Sequence, residues 1–125
     1  MSTQPHEQRT LSVSEVAEEA GVARSAVRFY ERYGLVSATR TSGNQRRFDA
    51  NAPCLIRVAR VAQRVGLTVR EIAAILDSMP PSPEPSDWAE VAEHLIEQAE
   101  AKITRLRAVL DDLSSAQKLC ELDPA

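Results

Sequence analysis

The sequence predicts a mainly α fold: a winged helix-turn-helix with a small β-hairpin wing, followed by a long dimerising coiled-coil helix. Three observations predict it. Residues 13–32 hold two short amphipathic segments that meet at Gly21. Residues 36–48 place Ser42-Gly43-Asn44 between arms carrying Arg40, Arg46 and Arg47. Residues 86–119 contain neither glycine nor proline, and they follow a segment with four prolines in six residues.

The elements follow in order. Residues 1–10 are largely polar and read as a flexible N-terminus. Ser12 and Glu15 make the S-x-x-E capping pattern. Val13, Val16, Ala17 and Ala20 then recur at i, i+3, i+4 and i+7, the apolar stripe of one short helix. Gly21 ends it, because glycine takes the left-handed conformation at a helix C-terminus without a steric penalty. A second helix spans about residues 24–32. Its Ala26, Val27 and Tyr30 face the first helix. Arg24, Arg28 and Arg32 recur at i, i+4 and i+8 on another face, with Ser25 and Phe29 beside them. A helix that reads the DNA major groove needs such a division. A solvated charge stripe is the alternative reading.

Gly34 closes the second helix. In the hairpin, glycine and asparagine are expected to supply the positive φ angles of a tight turn. As a wing it would carry Asn44 at its tip and lay Arg40, Arg46 and Arg47 on flanking phosphates. An ordinary polar hairpin is the alternative, but these three arginines have no acid among them. Asn51 is expected to cap a third helix reaching about residue 65, with Pro53 tolerated in its first turn. Leu55, Val58, Ala59, Ala62 and Val65 would form its packed face. Gly66 breaks it. Thr68 caps a fourth helix with Val69, Ile72, Ala73, Ile75 and Leu76 apolar.

The division is therefore a DNA-binding unit over residues 11–79, a stiff Pro-rich linker over 80–85, a dimerisation helix over 86–119 and a short tail over 120–125. In the long helix Trp88, Val91, Leu95, Ala99, Ile103, Leu106, Leu110 and Leu113 recur at spacings of three and four. That is a heptad-like seam. One helix cannot bury it alone, so a second copy of the chain is the expected partner. Folding back onto its own domain is the alternative.

The net charge of −3 argues against nucleic acid only if charge is spread evenly. It is not: residues 1–70 hold eleven arginines against six carboxylates, and the remainder holds four basic against twelve acidic residues. A basic front and acidic back suggest nucleic-acid binding at one end. Every basic residue in the front is arginine, whose planar fork suits phosphates and guanine edges. No long apolar run and no signal-peptide core occur, so a cytoplasmic protein with no membrane partner is expected. Two cysteines make no disulfide framework.

Ser25-Ala26-Val27-Arg28-Phe29-Tyr30-Glu31-Arg32-Tyr33-Gly34-Leu35 resembles the recognition helix of the MerR family of transcriptional regulators and the stretch that follows it. Ser42-Gly43-Asn44-Gln45-Arg46-Arg47-Phe48 resembles the wing of the family's SoxR branch, as does Ala62-Gln63-Arg64-Val65-Gly66-Leu67 further on. The order of winged domain, linker and long helix is similar too. The resemblance implies an antiparallel coiled-coil homodimer on a pseudo-palindromic promoter. It also implies an effector signal that makes the dimer bend and untwist the DNA, acting on RNA polymerase indirectly through the promoter. The SoxR branch holds a [2Fe–2S] centre on four cysteines just after the long helix. Here only Cys120 lies there, and one thiol cannot hold such a cluster. No iron–sulfur cluster and no other metal site is expected.

No P-loop, nucleophile elbow, paired-histidine zinc motif or dinucleotide glycine pattern occurs, so no enzyme is expected. Cys54 and Cys120 read as small, partly buried side chains, with a redox thiol at Cys120 the alternative. His94 reads as a surface residue. Trp88 reads as a core anchor, or else as part of a pocket for an unknown small-molecule effector. The expected function is sequence-specific regulation of transcription on double-stranded promoter DNA. Arg28, Ser25 and Phe29 would read base edges, and Tyr30, Arg24, Arg40, Arg46 and Arg47 would hold phosphates. An architectural or recombination and partition protein with the same domain, or a coiled-coil interaction module, are the alternatives.

Overall fold

A computed structural model describes residues 9–115 and residue 120 of the chain. The largest fully enclosed side chains are Val16, Val27, Phe48, Ile56 and Ile72, and each comes from a different element. In chain order the elements are β1 (Thr10–Leu11), α1 (Val13–Ala20), α2 (Arg24–Arg32), β2 (Ala38–Arg40), β3 (Arg46–Asp49), α3 (Ala52–Arg64), α4 (Val69–Leu76) and α5 (Pro85–Ser115). The fold is the mainly α winged helix-turn-helix with a long terminal helix that the sequence predicts.

Local chemistry sets the helix ends. Ser12 Oγ accepts from Glu15 N at 3.1 Å, and Ser12 N donates back to the Glu15 carboxylate at 2.7 Å. Thr68 and Glu71 repeat this reciprocal box at the start of α4, at 3.1 and 2.8 Å. Each box satisfies two backbone N–H groups that a helix start leaves without partners. Gly21 closes α1 in the left-handed region, at φ +74°. Its N–H and that of Val22 return to the Ala17 carbonyl at 2.9 and 3.0 Å. The chain therefore turns within a few residues, and α2 packs across α1 through Val27 and Tyr30.

The hairpin is part of a larger sheet. β3 is central in the order β1-β3-β2, with Leu11 opposite Phe48 and Ala38 opposite Phe48 on the other side. Thr10, read as the end of a flexible segment, is instead a strand residue. Two residues of pairing are too short for a period-2 pattern to reveal. The turn also differs in detail. Asn44 has φ +64° and Gly43 does not have a positive φ. Thr41 Oγ1 accepts from Gly43 N and Gln45 N, both at 3.2 Å, so a threonine side chain holds the turn.

Two further expectations change. Asn51 stands at the start of α3 but does not cap it; its amide donates to the Pro80 carbonyl at 3.3 Å. Val65, expected in the packed face of α3, is 45% exposed, because the helix has already ended at Arg64. The segment after α4 is thereby tied down, with Met79 N bonded to the Leu76 carbonyl at 3.0 Å.

Pro85 begins α5, one residue earlier than the sequence suggests, and the helix runs 31 residues. At the α-helical rise it is about 46 Å long. Its seam is divided. Val91 is buried in the domain core, and Trp88 and Leu95 pack against that core. These residues, read as dimer contacts, fold back because the short tethered linker delivers the first turns of α5 onto α4. Ala99 is half-buried, whereas Ile103, Leu106, Leu110 and Leu113 are exposed. Lys102 pins the helix midway: its Nζ donates to the Gly66 carbonyl at 2.8 Å and to the Glu71 carboxylate at 3.0 Å. Residues 1–8, 116–119 and 121–125 lie outside the described residues, and with them most of the expected flexible N-terminus, the end of the dimerisation helix and most of the tail.

Both capping carboxyls are held below the usual glutamate range. For Glu15 the main cause is the Ser12 N–H. For Glu71 it is the Thr68 N–H, followed by the Lys102 hydrogen bond. A depressed folded pKa adds stability above the unfolded value, and that stability is lost as pH falls through the folded value. The thermal midpoint should therefore hold near neutrality and decline from about pH 4.3 downward. The double variant Glu15→Gln/Glu71→Gln, which keeps the caps without the charge, should show a shallower acid decline by circular dichroism.

Candidate nucleic-acid interface

Helix α2 owes its two faces to residue spacing. Val27 and Tyr30 are buried, and Ala26 packs partly against the core. Ser25, Arg28 and Arg32 point outward and are exposed. Phe29 is half-buried, with its ring 5.5 Å from Tyr30 and 4.9 Å from Tyr33 between centroids. Only part of it is available to a partner.

Tyr30, expected among the phosphate contacts, is engaged within the fold. Its ring sits in the core, 5% exposed. Its O–H donates to Gln63 Oε1 on α3 at 2.8 Å. The aromatic body is what α2 needs to pack, and only the polar tip reaches the surface.

The arginines divide into those already engaged and those that are not. Arg24 donates to Ser14 Oγ at 3.2 Å. Arg40 donates to the backbone and side-chain oxygens of Asn44 at 3.1 and 3.2 Å, bracing the wing turn from within. Arg46 Nε lies 3.2 Å from the Glu31 carboxylate, which ties β3 to α2. Arg47 donates to Thr10 Oγ1 at 3.1 Å and to the Thr10 carbonyl at 3.0 Å, with the Glu15 carboxylate 4.0 Å away. That half-buried side chain staples β3 to β1 beside the start of α1, so Arg47 already has a structural role within the wing. Arg9 pairs with Glu19, Arg57 donates to the Glu19 carbonyl, and Arg70 lies over the Tyr33 ring.

Among the described residues, Arg28, Arg32, Arg60 and Arg64 are the arginines before α4 whose guanidinium groups make no hydrogen bond, ion pair or ring contact. Arg28 and Arg32 stand on α2. Arg60 and Arg64 stand on α3, one turn apart; the sequence reading quoted Arg64 within a SoxR-like stretch but assigned neither of them a DNA contact. It treated α3 as a packing helix and followed its apolar positions. The available signal was the i, i+4 arginine spacing, the same one that drew notice on α2.

Other chemistry is sparse. Cys54 and Cys120 are both exposed, contrary to their reading as partly buried side chains. Cys54 lies on the outer face of α3, between the buried Pro53 and Leu55. A [2Fe–2S] cluster held by thiolates alone takes four of them. The sequence has two cysteines, Cys54 on α3 and Cys120 after α5. Among the described residues no three His, Cys, Asp or Glu side chains are grouped to hold a metal ion. No helix among them is long and apolar enough to cross a membrane.

A family profile described as MerR HTH family regulatory protein matches residues 11–79. The chain belongs to the MerR family. A second profile, described as MerR, DNA binding, matches residues 55–116 of this MerR family regulator. The HTH-type transcriptional activator SoxR homolog of Chromobacterium violaceum is 34% identical over 110 residues, covering 84% of this chain and 74% of the relative. The mercuric resistance operon regulatory protein of Pseudomonas fluorescens is 30% identical over 110 residues, covering 85% and 76%. A crystal structure of a MerR family transcriptional regulator from Listeria monocytogenes superposes with a TM-score of 0.52 at 25% identity, covering 83% of this chain and 80% of that one. The protein is thus a MerR family transcription regulator with a DNA-binding helix-turn-helix domain.

The division of arginines is testable by stability alone. Arg47→Ala should lower the unfolding free energy by about 1 kcal/mol, because it removes hydrogen bonds that join β1 to β3. Arg28→Ala should leave stability within about 0.5 kcal/mol of the parent. Urea titration of the two variants side by side separates the roles.

Proposed function

We propose that this MerR family regulator binds a pseudo-palindromic promoter as a homodimer and controls transcription by distorting the promoter DNA. The observation that carries the reading is Arg28: an unengaged, exposed guanidinium on the second helix of a helix-turn-helix. In this role Arg28 reads a guanine edge, Ser25 lies beside it, and the exposed edge of Phe29 meets a thymine methyl. Arg24, Arg40, Asn44 and Arg46 set register on the backbone. Their bonds to neighbours are exposed. Exchanging such bonds for a phosphate costs little, since exposed pairs contribute only about 0–1 kcal/mol.

The distal face of α5 supports the homodimer. Ile103, Leu106, Leu110 and Leu113 are exposed along one helix. An apolar groove of about 440 Å³ continues this surface between α3 and α5, lined by Val58, Val61, Val65, Leu95, Ile96 and Ala99. An apolar surface so continuous marks an association site. A second copy burying the same seam in the opposite direction satisfies both. The SoxR homolog of C. violaceum is a transcriptional activator. The same reading puts the protein in the cytoplasm with its promoter, acts on polymerase only through the DNA, and needs no metal or other cofactor. It leaves room for a small-molecule effector without assigning one.

Arg28→Ala should cost about 1–3 kcal/mol of discrimination at one base step, while binding to random duplex changes little. Competition gel shifts with single-base variants of the operator measure this. Equal loss on operator and random DNA would refute base reading by Arg28. Leu106→Glu/Leu110→Glu should sediment as a monomer and bind the palindrome far more weakly than the parent chain. An unchanged dimer of unchanged affinity would refute the proposed interface.

A further inference from the structure

We propose that Lys102 decides which half-site spacing the dimer accepts, by fixing the angle between α5 and the unit of residues 11–79. This rests on the homodimer reading above and deepens it, naming a positioning residue remote from the duplex.

α5 meets its own domain in two places of different character. In its first turns Val91 is buried, with Trp88 and Leu95 packed against the core. That contact is apolar, and apolar attraction has no preferred direction, so by itself it acts as a pivot. Past Leu95 the surfaces part. On the α4 side lies a hollow of about 410 Å³, lined by Glu71, Ala74, Ile75, Ser78, His94 and Gln98. On the α3 side lies the apolar groove of about 440 Å³ beside Leu95 and Ile96. Close packing therefore leaves the direction of the helix open on both sides.

The second place is Lys102, which stands about 16 Å beyond Val91 at the α-helical rise. Its Nζ donates to the Gly66 carbonyl at 2.8 Å and to the Glu71 carboxylate at 3.0 Å. Among the described residues, Lys102 alone bonds a polar side chain of α5 to residues 11–79. Both acceptors are themselves held. Gly66 sits in the left-handed turn between α3 and α4, at φ +91°, and the Glu71 carboxylate accepts from Thr68 N at 2.8 Å. The stem of Lys102 passes close by, since a Cβ added at Gly66 would lie 3.5 Å from Lys102 Cδ. The Lys102 side chain is 16% exposed, so salt screens its ion pair less than an open surface pair. Hydrogen bonds are directional. Two of them acting far from the pivot supply the leverage that apolar packing lacks.

The operator feels this angle twice. A second copy buries Ile103, Leu106, Leu110 and Leu113, so each α5 is fixed to its partner in the dimer. The place of each recognition helix then follows from the angle at which α5 carries its own unit. Binding of the second half-site is intramolecular, and its gain is largest when the span fits without distortion. A latched angle favours one spacing and penalises the others. With the latch open, each unit still binds its half-site but gains less from the second.

The test uses the full chain and a palindromic duplex that the parent protein selects from a random pool. Two further duplexes carry a single half-site, or the palindrome with one base pair inserted between half-sites. Lys102→Met keeps the apolar stem and removes the ammonium. It should sediment as a dimer and bind the single half-site within about twofold of the parent, while its affinity for the palindrome falls about tenfold. Its penalty for the inserted base pair should shrink about threefold or more. Lys102→Arg should recover part of the palindrome affinity. Glu71→Gln, which keeps the α4 cap and the Gly66 bond, should fall between the parent and Lys102→Met, and it reads the latch if Lys102→Met does not fold. Arg105→Gln removes one exposed charge from the same helix and should leave both ratios as in the parent. A merely structural role would lower the thermal midpoint and weaken half-site and palindrome alike. An unchanged ratio of palindrome to half-site affinity, equal losses on both duplexes, or an equal effect of Arg105→Gln would each overturn the assignment. A parent chain that gains nothing from a second half-site would instead overturn the homodimer reading.

Discussion

The position of the recognition helix depends on one buried ring. Phe48 is fully enclosed, and it faces Leu11 on one side and Ala38 on the other in the three-stranded sheet. It joins the wing to the helical core, so that β3 and α2 are held in one rigid relation. Arg46 and Glu31 then face each other across that junction. An aromatic this deeply packed is worth several kilocalories, about 3–5 kcal/mol by truncation. Exposed ion pairs of the Arg46–Glu31 kind contribute far less. Packing therefore places the interface, and charge decorates it.

Much of the helical architecture could be read from the chain because its signals are local. The reciprocal caps at Ser12 and Thr68 and the positive φ of Gly21 each depend on residues within one turn. What escaped notice is non-local. β1 exists only because β3 passes beside it, and two residues carry no periodicity. Asn51 has an N-cap's sequence position, yet Pro80, distant in sequence, takes its side chain.

The site was harder to read than the fold, for a related reason. Arginine count shows where positive charge accumulates but not which guanidinium groups are engaged by neighbours. Arg40 and Arg47 share a wing, yet one braces its own turn and the other bonds to Thr10. Arg60 and Arg64 were hidden because α3 looked like a packing helix. The long seam shows the same limit: heptad spacing marks the face of α5 that is apolar but not what covers it. Val91 meets its own domain, while Leu106 and Leu110 remain uncovered.

Lys102 has a mechanical corollary. Its ammonium grips the Gly66 carbonyl and the Glu71 carboxylate, so the mid-portion of α5 is moored to the corner between α3 and α4. Together with the burial of Val91, this fastens the helix to the domain at a second place beyond the proline linker. A twist applied at the far tip of the rod therefore meets the domain first at that corner.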